Sequence, residues 1–197
     1  MADYQAQPYD EKLDKLTGIS KDTSRAHYGL YEKYVAAFNK AMKEKAEASR
    51  EDANQIGSAY RSAQMTATFA LGGIKNHEIY FGHLGGDGGA IEGEFKKQIE
   101  KDFSSWDEYL KDLAASGMAG RGWAWTIWDD DCQALYNCIG DAQDTFPIWN
   151  AHPVVALDVY EHAYMADFST ARPKYIDAFL ENMDWSVVES SFKGIHG

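Results

Sequence analysis

Two apolar stripes at helical spacing, separated by a short charged break, constrain this 197-residue chain more than any other feature. The first runs His27, Tyr31, Tyr34, Phe38, Ala41, in steps of four and three, the repeat that keeps side chains on one face of an α-helix. Asp22 or Thr23 can cap its start. The second runs Ile56, Tyr60, Ala63, Ala67, Ala70, Ile74, His77, Phe81 with the same alternation, as expected of a helix packed along a narrow seam. Residues 43–52 between them are highly charged and lack large apolar side chains, as a solvated helix end and turn would. Two long helices joined by a short polar link pair as an antiparallel hairpin.

The pattern changes near residue 85. Gly82-His83-Leu84-Gly85-Gly86-Asp87-Gly88-Gly89 carries five glycines in eight residues. It has no Gly-Lys-Ser/Thr and no preceding strand, so a linker or flexible crossover is expected rather than a phosphate cradle. Beyond it Ile91, Phe95 and Ile99 recur at four, and Ser105-Trp106-Asp107-Glu108 is a capping box opening a second short helix, which Gly117 to Gly122 ends. Trp123 to Ile127 alternates as a strand, Asp129-Asp130-Asp131 reads as a turn, and Cys132 to Ile139 and Pro153 to Asp158 read as two further strands. Pro173 stands at a helix start, and Tyr175 to Leu180 begins a terminal helix. The predicted fold is α+β: an N-terminal long antiparallel helical hairpin, residues 1–84, then an α/β half, residues 90–197, in which a three-stranded antiparallel sheet is flanked by helices.

Composition removes several classes of function. A formal net charge of −12 argues against nucleic acid and anionic membrane surfaces as partners. No run of apolar residues is long enough to span a bilayer, and Met1-Ala2-Asp3-Tyr4-Gln5 has neither a basic nor an apolar leader region. Cys132 and Cys138 fall in one strand-like segment, spaced too far along it to bridge without a bend, so free buried thiols in a reducing cytoplasm are expected.

The chemistry concentrates in Asp158-Val159-Tyr160-Glu161-His162-Ala163-Tyr164, which follows the apolar run Val154 to Leu157. Asp158 and His162, four residues apart where a buried strand ends, make a chelating pair. An ionised Asp buried beside a His is costly unless a cation or a dense hydrogen-bond network compensates. The plainer alternative is an ion pair closing a helical turn. His27 and His77 are members of apolar stripes rather than of polar faces; either alone reads as a neutral, hydrogen-bonded core residue. Two of them on facing helices together with Asp-x-x-x-His form a complete His3Asp set for Fe or Mn, with a fifth position left for solvent. His83 lies in the glycine segment, His152 precedes Pro153, and His196 is in the tail. The chain has no His-Glu-x-x-His, no Glu-x-x-His, no zinc-knuckle cysteine spacing and no Gly-x-Ser-x-Gly.

From about Ile19 to Trp185 the chain resembles the iron/manganese superoxide dismutases. Asp158 to Tyr164 is similar to their Asp-x-Trp-Glu-His-Ala-Tyr signature, with Tyr160 in place of the tryptophan. Ile19-Ser20 to His27-Tyr28-Gly29, with Tyr34-Val35 and Asn39, resembles the first-ligand segment, and Gly72-Gly73-Ile74-Lys75-Asn76-His77 the second. Gly122-Trp123-Ala124-Trp125 matches the aromatic strand and Ala171 to Tyr175 the Arg-Pro-x-Tyr element. The resemblance implies His27, His77, Asp158 and His162 as ligands of one Mn or Fe ion per subunit, with superoxide as substrate. It also implies Tyr34 as gateway tyrosine and Gln143 as the glutamine held against metal-bound solvent. Iron-type members usually supply that glutamine four residues before the second His, where Gly73 stands; the Gln143 position is the manganese type, so Mn is favoured.

Further roles follow from the same resemblance. Trp123 lines the site, Glu161 reaches a ligand His of a second subunit in a homodimer or dimer of dimers, and Arg172 focuses the field for an anion approaching an acidic protein. The chain departs from the family at several places. Seven residues rather than eight separate His27 from Tyr34, Leu30 stands where a steering lysine is often found, and Tyr31 and Met165 replace groups that pair near the funnel of the dimer. The expected activity is a ping-pong disproportionation of superoxide to dioxygen and hydrogen peroxide. The alternative is a dismutase-like metal-binding protein with a structural or storage role and little turnover.

Overall fold

The computed structural model describes residues 2–89, 91–146 and 148–196. Among them the chain runs α1 Asp10–Leu13, α2 Lys21–Glu47, α3 Ala59–His83, α4 Glu94–Phe103, α5 Trp106–Ala119, β1 Trp123–Asp129, β2 Ala134–Gly140, β3 Ala151–Asp158, α6 Glu161–Phe168, α7 Arg172–Glu181 and α8 Trp185–His196. α2 and α3 pack along each other as the hairpin, and the sheet is antiparallel in the order β2-β1-β3, so the fold is α+β.

Local chemistry sets the ends of the hairpin. Ser20, in extended conformation, accepts from Thr23 N and caps α2. Asp22 and Thr23, the caps expected from sequence, already lie inside the helix. α3 is capped in the same way by Ser58, which accepts from Arg61 N. Ile56, expected on the apolar stripe, instead precedes the helix and is exposed, because the Asn54 side chain accepts from Ile56 N and Gly57 N and turns the chain there. Along the seam α3 presents Ala63, Ala67 and Ala70, all buried, which lets the two helices approach closely.

The glycine segment is tied down rather than loose. Gly82 and His83 belong to the last turn of α3, and Leu84 forms a bridge with Met183. Gly85 N and Gly86 N both donate to Asn182 O, and Gly88 N donates to Met183 O. Gly86 is required there: a Cβ would lie 2.4 Å from Met183 O.

β1 is the central strand and is buried on both faces from Trp123 to Trp128, so it lacks the in–out alternation expected of it. α5 packs against β1 and β2, while α3 and α8 pack against β3. β2 starts at Ala134, two residues later than expected. Asp129 Oδ1 accepts from Asp131 N and Cys132 N and so draws Cys132 into the turn. Both thiols are free, but Cys132 is exposed and Cys138 only partly buried. The terminal helix is two helices: α7 ends at Asn182, whose side chain bridges Thr17 O and Ala178 O, and α8 follows.

α8 also completes α4. The N-cap of α4 is Gly93, which has no side chain to satisfy the first amides, and Glu189 of α8 does so instead. Its two oxygens accept from Glu94 N at 2.9 Å and Phe95 N at 2.8 Å, while Lys193 pairs with it at 2.9 Å. Burial alone would raise the Glu189 carboxyl, but Lys193 and the two amides hold it below its ordinary range. A depressed carboxyl contributes stability above its unfolded-state titration and loses it as pH falls through the folded one. Glu189→Ala is expected to cost about 1–3 kcal/mol at neutral pH. Urea titration should show the difference from the parent protein shrinking as the solution is acidified.

Candidate metal centre

Four elements bring the predicted ligands together. The stripes of α2 and α3 place His27 and His77 at the hairpin seam with ring centroids 5.0 Å apart. β3 ends on Asp158, whose Oδ1 accepts from Tyr160 N at 2.9 Å and turns the strand into α6. Two residues on, in the first turn of α6, His162 faces back to the strand end. The imidazole nitrogens converge on one oxygen: Asp158 Oδ2 lies 3.0 Å from His27 Nε2, 3.1 Å from His162 Nε2 and 3.5 Å from His77 Nε2. The four donor atoms all lie within 4.8 Å of one another.

The protonation pattern tests whether a cation belongs there. His77 Nδ1 lies 2.6 Å from Gly73 O, an acceptor, so Nδ1 carries the proton and Nε2 presents a lone pair to the cluster. His77 Nε2 is buried and has no hydrogen-bond partner. Burial lowers His77 to about 3, with His27 beside it adding to the effect, and burial lowers His27 as well, so both are neutral. Burial would raise Asp158, but His162 and His27 hold its carboxyl well below the usual range, so it stays ionised. A lone pair aimed at a buried carboxylate without an intervening proton is repulsive, and a cation at the convergence point relieves it. One carboxylate oxygen with three imidazole nitrogens is a donor set for a first-row transition ion.

The surrounding side chains are set by β1, α2 and the loop after β2. The Trp123 ring packs edge-on to His77 at 5.2 Å, and its Nε1 donates to Gln143 Oε1 at 3.0 Å. Gln143, almost fully buried, donates through Nε2 to Tyr34 OH at 3.3 Å, and the Tyr34 ring lies 5.5 Å from His77. Burial raises the Tyr34 phenol, so it keeps its proton. Gly73 matters here: a Cβ on it would sit 2.9 Å from the Tyr34 ring, leaving no room for a longer side chain from that position.

Tyr31 lies with its ring 6.4 Å from that of His77. Fully buried, it donates to Glu78 Oε1 at 3.0 Å and accepts from Gln7 N at 2.8 Å, tying the N-terminal segment to the hairpin. Arg172 donates to Gly120 O at 2.8 Å and closes the C-terminal end of α5, where a cation suits the helix dipole. Glu161 and Met165 are exposed on α6. His83 is buried at the end of α3 outside the cluster, and His152 pairs with Asp130 at 2.8 Å on the surface. The His196 side chain lies outside the described atoms.

Two neighbours of the ligands went unassigned in the sequence. Asn76 Nδ2 donates to the main-chain carbonyl of Gln143 at 3.1 Å, and Tyr160 stacks on His162. Adjacency to His77 and a place inside the Asp158–His162 motif were the only signals available for them.

The profile described as iron/manganese superoxide dismutases, C-terminal domain, matches residues 91–191. The chain is 37% identical over 200 residues to an iron superoxide dismutase of Aquifex pyrophilus, covering 98% of this chain and 93% of that protein. It is 31% identical over 188 residues to a manganese superoxide dismutase of Haloferax volcanii, covering 94% and 92%. It is 30% identical over 191 residues to a manganese/iron superoxide dismutase of Rickettsia bellii, covering 93% and 90%.

Removing one donor leaves three and an unbalanced buried set. His77→Ala and Asp158→Ala are each expected to bind far less than one Mn or Fe per chain after loading that saturates the parent protein. Metal analysis after gel filtration reads this directly, and stoichiometric metal in either variant would reject the ligand assignment.

Proposed function

The chain belongs to the iron/manganese superoxide dismutase family, and we propose that it is a cytoplasmic, homodimeric superoxide dismutase loaded with manganese. The observation that carries the activity is the convergence of three imidazole nitrogens on Asp158 Oδ2, with an unpartnered His77 lone pair facing it. When bound, a manganese or iron ion would supply the one-electron exchange that turns two superoxide ions and two protons into dioxygen and hydrogen peroxide.

The chain's own residues do the rest. His27, His77 and His162 through Nε2 and Asp158 through Oδ2 would hold the ion. Tyr34 keeps a phenolic proton beside the site, and Gln143, fixed between Trp123 and Tyr34, presents an oriented amide. The Trp123 indole fills the space beside His77 and keeps bulk water from it. Manganese is supported by the source of the glutamine: Gln143 arrives from the loop after β2, and the Tyr34 ring fills the space above Gly73. Side chains hydrogen-bonded around a metal tune its potential.

A dimer is supported by α6. Glu161 is exposed in its first turn, and the neighbouring His162 keeps 28% of its side chain accessible although its Nε2 is committed to the cluster. We read Glu161 as reaching the partner subunit's His162, which would orient that imidazole and raise its basicity. Two free thiols suit a reducing compartment, and no helix among the described residues is long and apolar enough to cross a membrane.

Reconstitution with Mn and Fe separately, followed by activity per bound ion, tests the function. Turnover with manganese exceeding that with iron is expected; full metal binding with negligible turnover for both would instead favour a metal-holding protein. Gln143→Ala is expected to keep near-normal metal content while losing roughly 10–100-fold in activity and shifting the midpoint potential. Glu161→Ala is expected to weaken both the dimer and metal retention. Sedimentation with metal analysis at dilution reads both, and a dimeric, fully loaded variant would remove Glu161 as the bridge.

A further inference from the structure

Tyr160 lies midway between Asp158 and His162 and touches both. Its main-chain N–H donates to Asp158 Oδ1 at 2.9 Å, and its ring stacks on His162 with centroids 5.2 Å apart and 17° between planes. Its hydroxyl goes elsewhere, donating to the main-chain carbonyl of Asp141 at 3.2 Å. Asp141 opens the loop that carries Gln143, so one side chain joins the strand-to-helix turn of the ligands to the segment that supplies the amide.

The loop is held from the other side too. Asn76, adjacent to His77 and nearly fully buried, donates to Gln143 O at 3.1 Å. Gly72 makes that approach possible, since a Cβ there would lie 2.1 Å from the same oxygen. Within the loop, Ala142 N donates to Thr145 Oγ1 at 3.2 Å and Thr145 Oγ1 donates to Ala142 O at 2.8 Å. Outside it, Arg121 Nε donates to the exposed Asp141 carboxylate at 2.8 Å. The carbonyls of Asp141 and Gln143 are therefore gripped by side chains standing next to ligands of two different elements.

We propose that Tyr160 is a positioning residue that clamps the Gln143 loop to the Asp158–His162 turn through its hydroxyl on the Asp141 carbonyl, with Asn76 as the opposing clamp. The hydroxyl is what a tyrosine adds where the family signature has a tryptophan. A supporting contact of this kind matters because an amide that tunes a metal must be held to within a fraction of an ångström. The proposal deepens the dismutase reading of the site and rests on it for its effect on the metal.

Tyr160→Phe keeps the stacked ring and removes only the hydroxyl. Amide hydrogen exchange over residues 141–145 is expected to quicken by roughly 2- to 10-fold, the loss of one hydrogen bond, in both metal-free and metal-loaded protein. Metal content is expected to hold while the midpoint potential moves. In a Gln143→Ala background, Tyr160→Phe is expected to quicken loop exchange still but no longer to move the potential. Unchanged exchange would overturn the clamp, and a potential shift that persists in full without Gln143 would overturn action through that residue. Exchange of the metal-free protein needs no turnover. A parent protein inactive with both metals would therefore reject the dismutase reading and leave the clamp to be decided by exchange alone.

Discussion

One carboxylate oxygen, Asp158 Oδ2, faces three imidazole nitrogens in the interior, and the architecture around it serves that convergence. An ionised group with no exposure is costly in an apolar interior. Hydrogen bonds from His27 and His162 offset part of that cost, but His77 has its proton on the far nitrogen, bonded to Gly73 O. The fold thus builds in an electrostatic imbalance that a cation at the centre would relieve. Such an arrangement is poor as a structural ion-pair network and fits a metal site, the other of the two readings of a buried Asp-x-x-x-His.

The hairpin supplies half of the donors because its seam is narrow. Small residues on α3 let its axis approach α2, and His27 and His77 meet edge to face. The same closeness has a second consequence one turn before His77. Gly72 admits the Gln143 loop against its own backbone, and Gly73 admits the Tyr34 ring. A side chain at either position would displace one of the two groups that adjoin the cluster. Two consecutive glycines inside a helix cost stability through backbone entropy, and here close approach of neighbouring groups explains both.

How much of this was legible in the sequence depended on how local its cause was. The ligands stood out because His27 and His77 interrupt apolar stripes, and Asp158 and His162 follow a buried run; each is a polar group where burial demands a partner. Capping by Ser105 was equally local, with Ser105 Oγ accepting from Glu108 N, while the Glu108 carboxylate of the expected capping box pairs with Lys111. Features set by distant partners were hidden. The glycine segment is fixed by Asn182 and Met183, about a hundred residues away in sequence, and α4 is capped by Glu189 from α8. The start of β2 moved because the Asp129 side chain prefers to close a turn. The roles of Gln143 and Tyr34 were reachable only through family resemblance, and Asn76 and Tyr160 stood inside recognised segments with no role read for them, since each bonds a main-chain carbonyl whose position no side-chain pattern encodes.

Arg172, the first residue of α7, is tied into the scaffold through the C-terminal end of α5. Its guanidinium is held by the carbonyl of Gly120 and lies 5.5 Å from the Tyr164 ring centre. Carbonyls orient a guanidinium without neutralising it, so the positive charge is retained while its freedom to move is lost. α7 is thereby anchored to α5, and Tyr175 of α7 donates in turn to Asp158 O at 2.7 Å. The chain that positions the central carboxylate along β3 is thus steadied from behind by the same helix whose first residue carries the fixed charge.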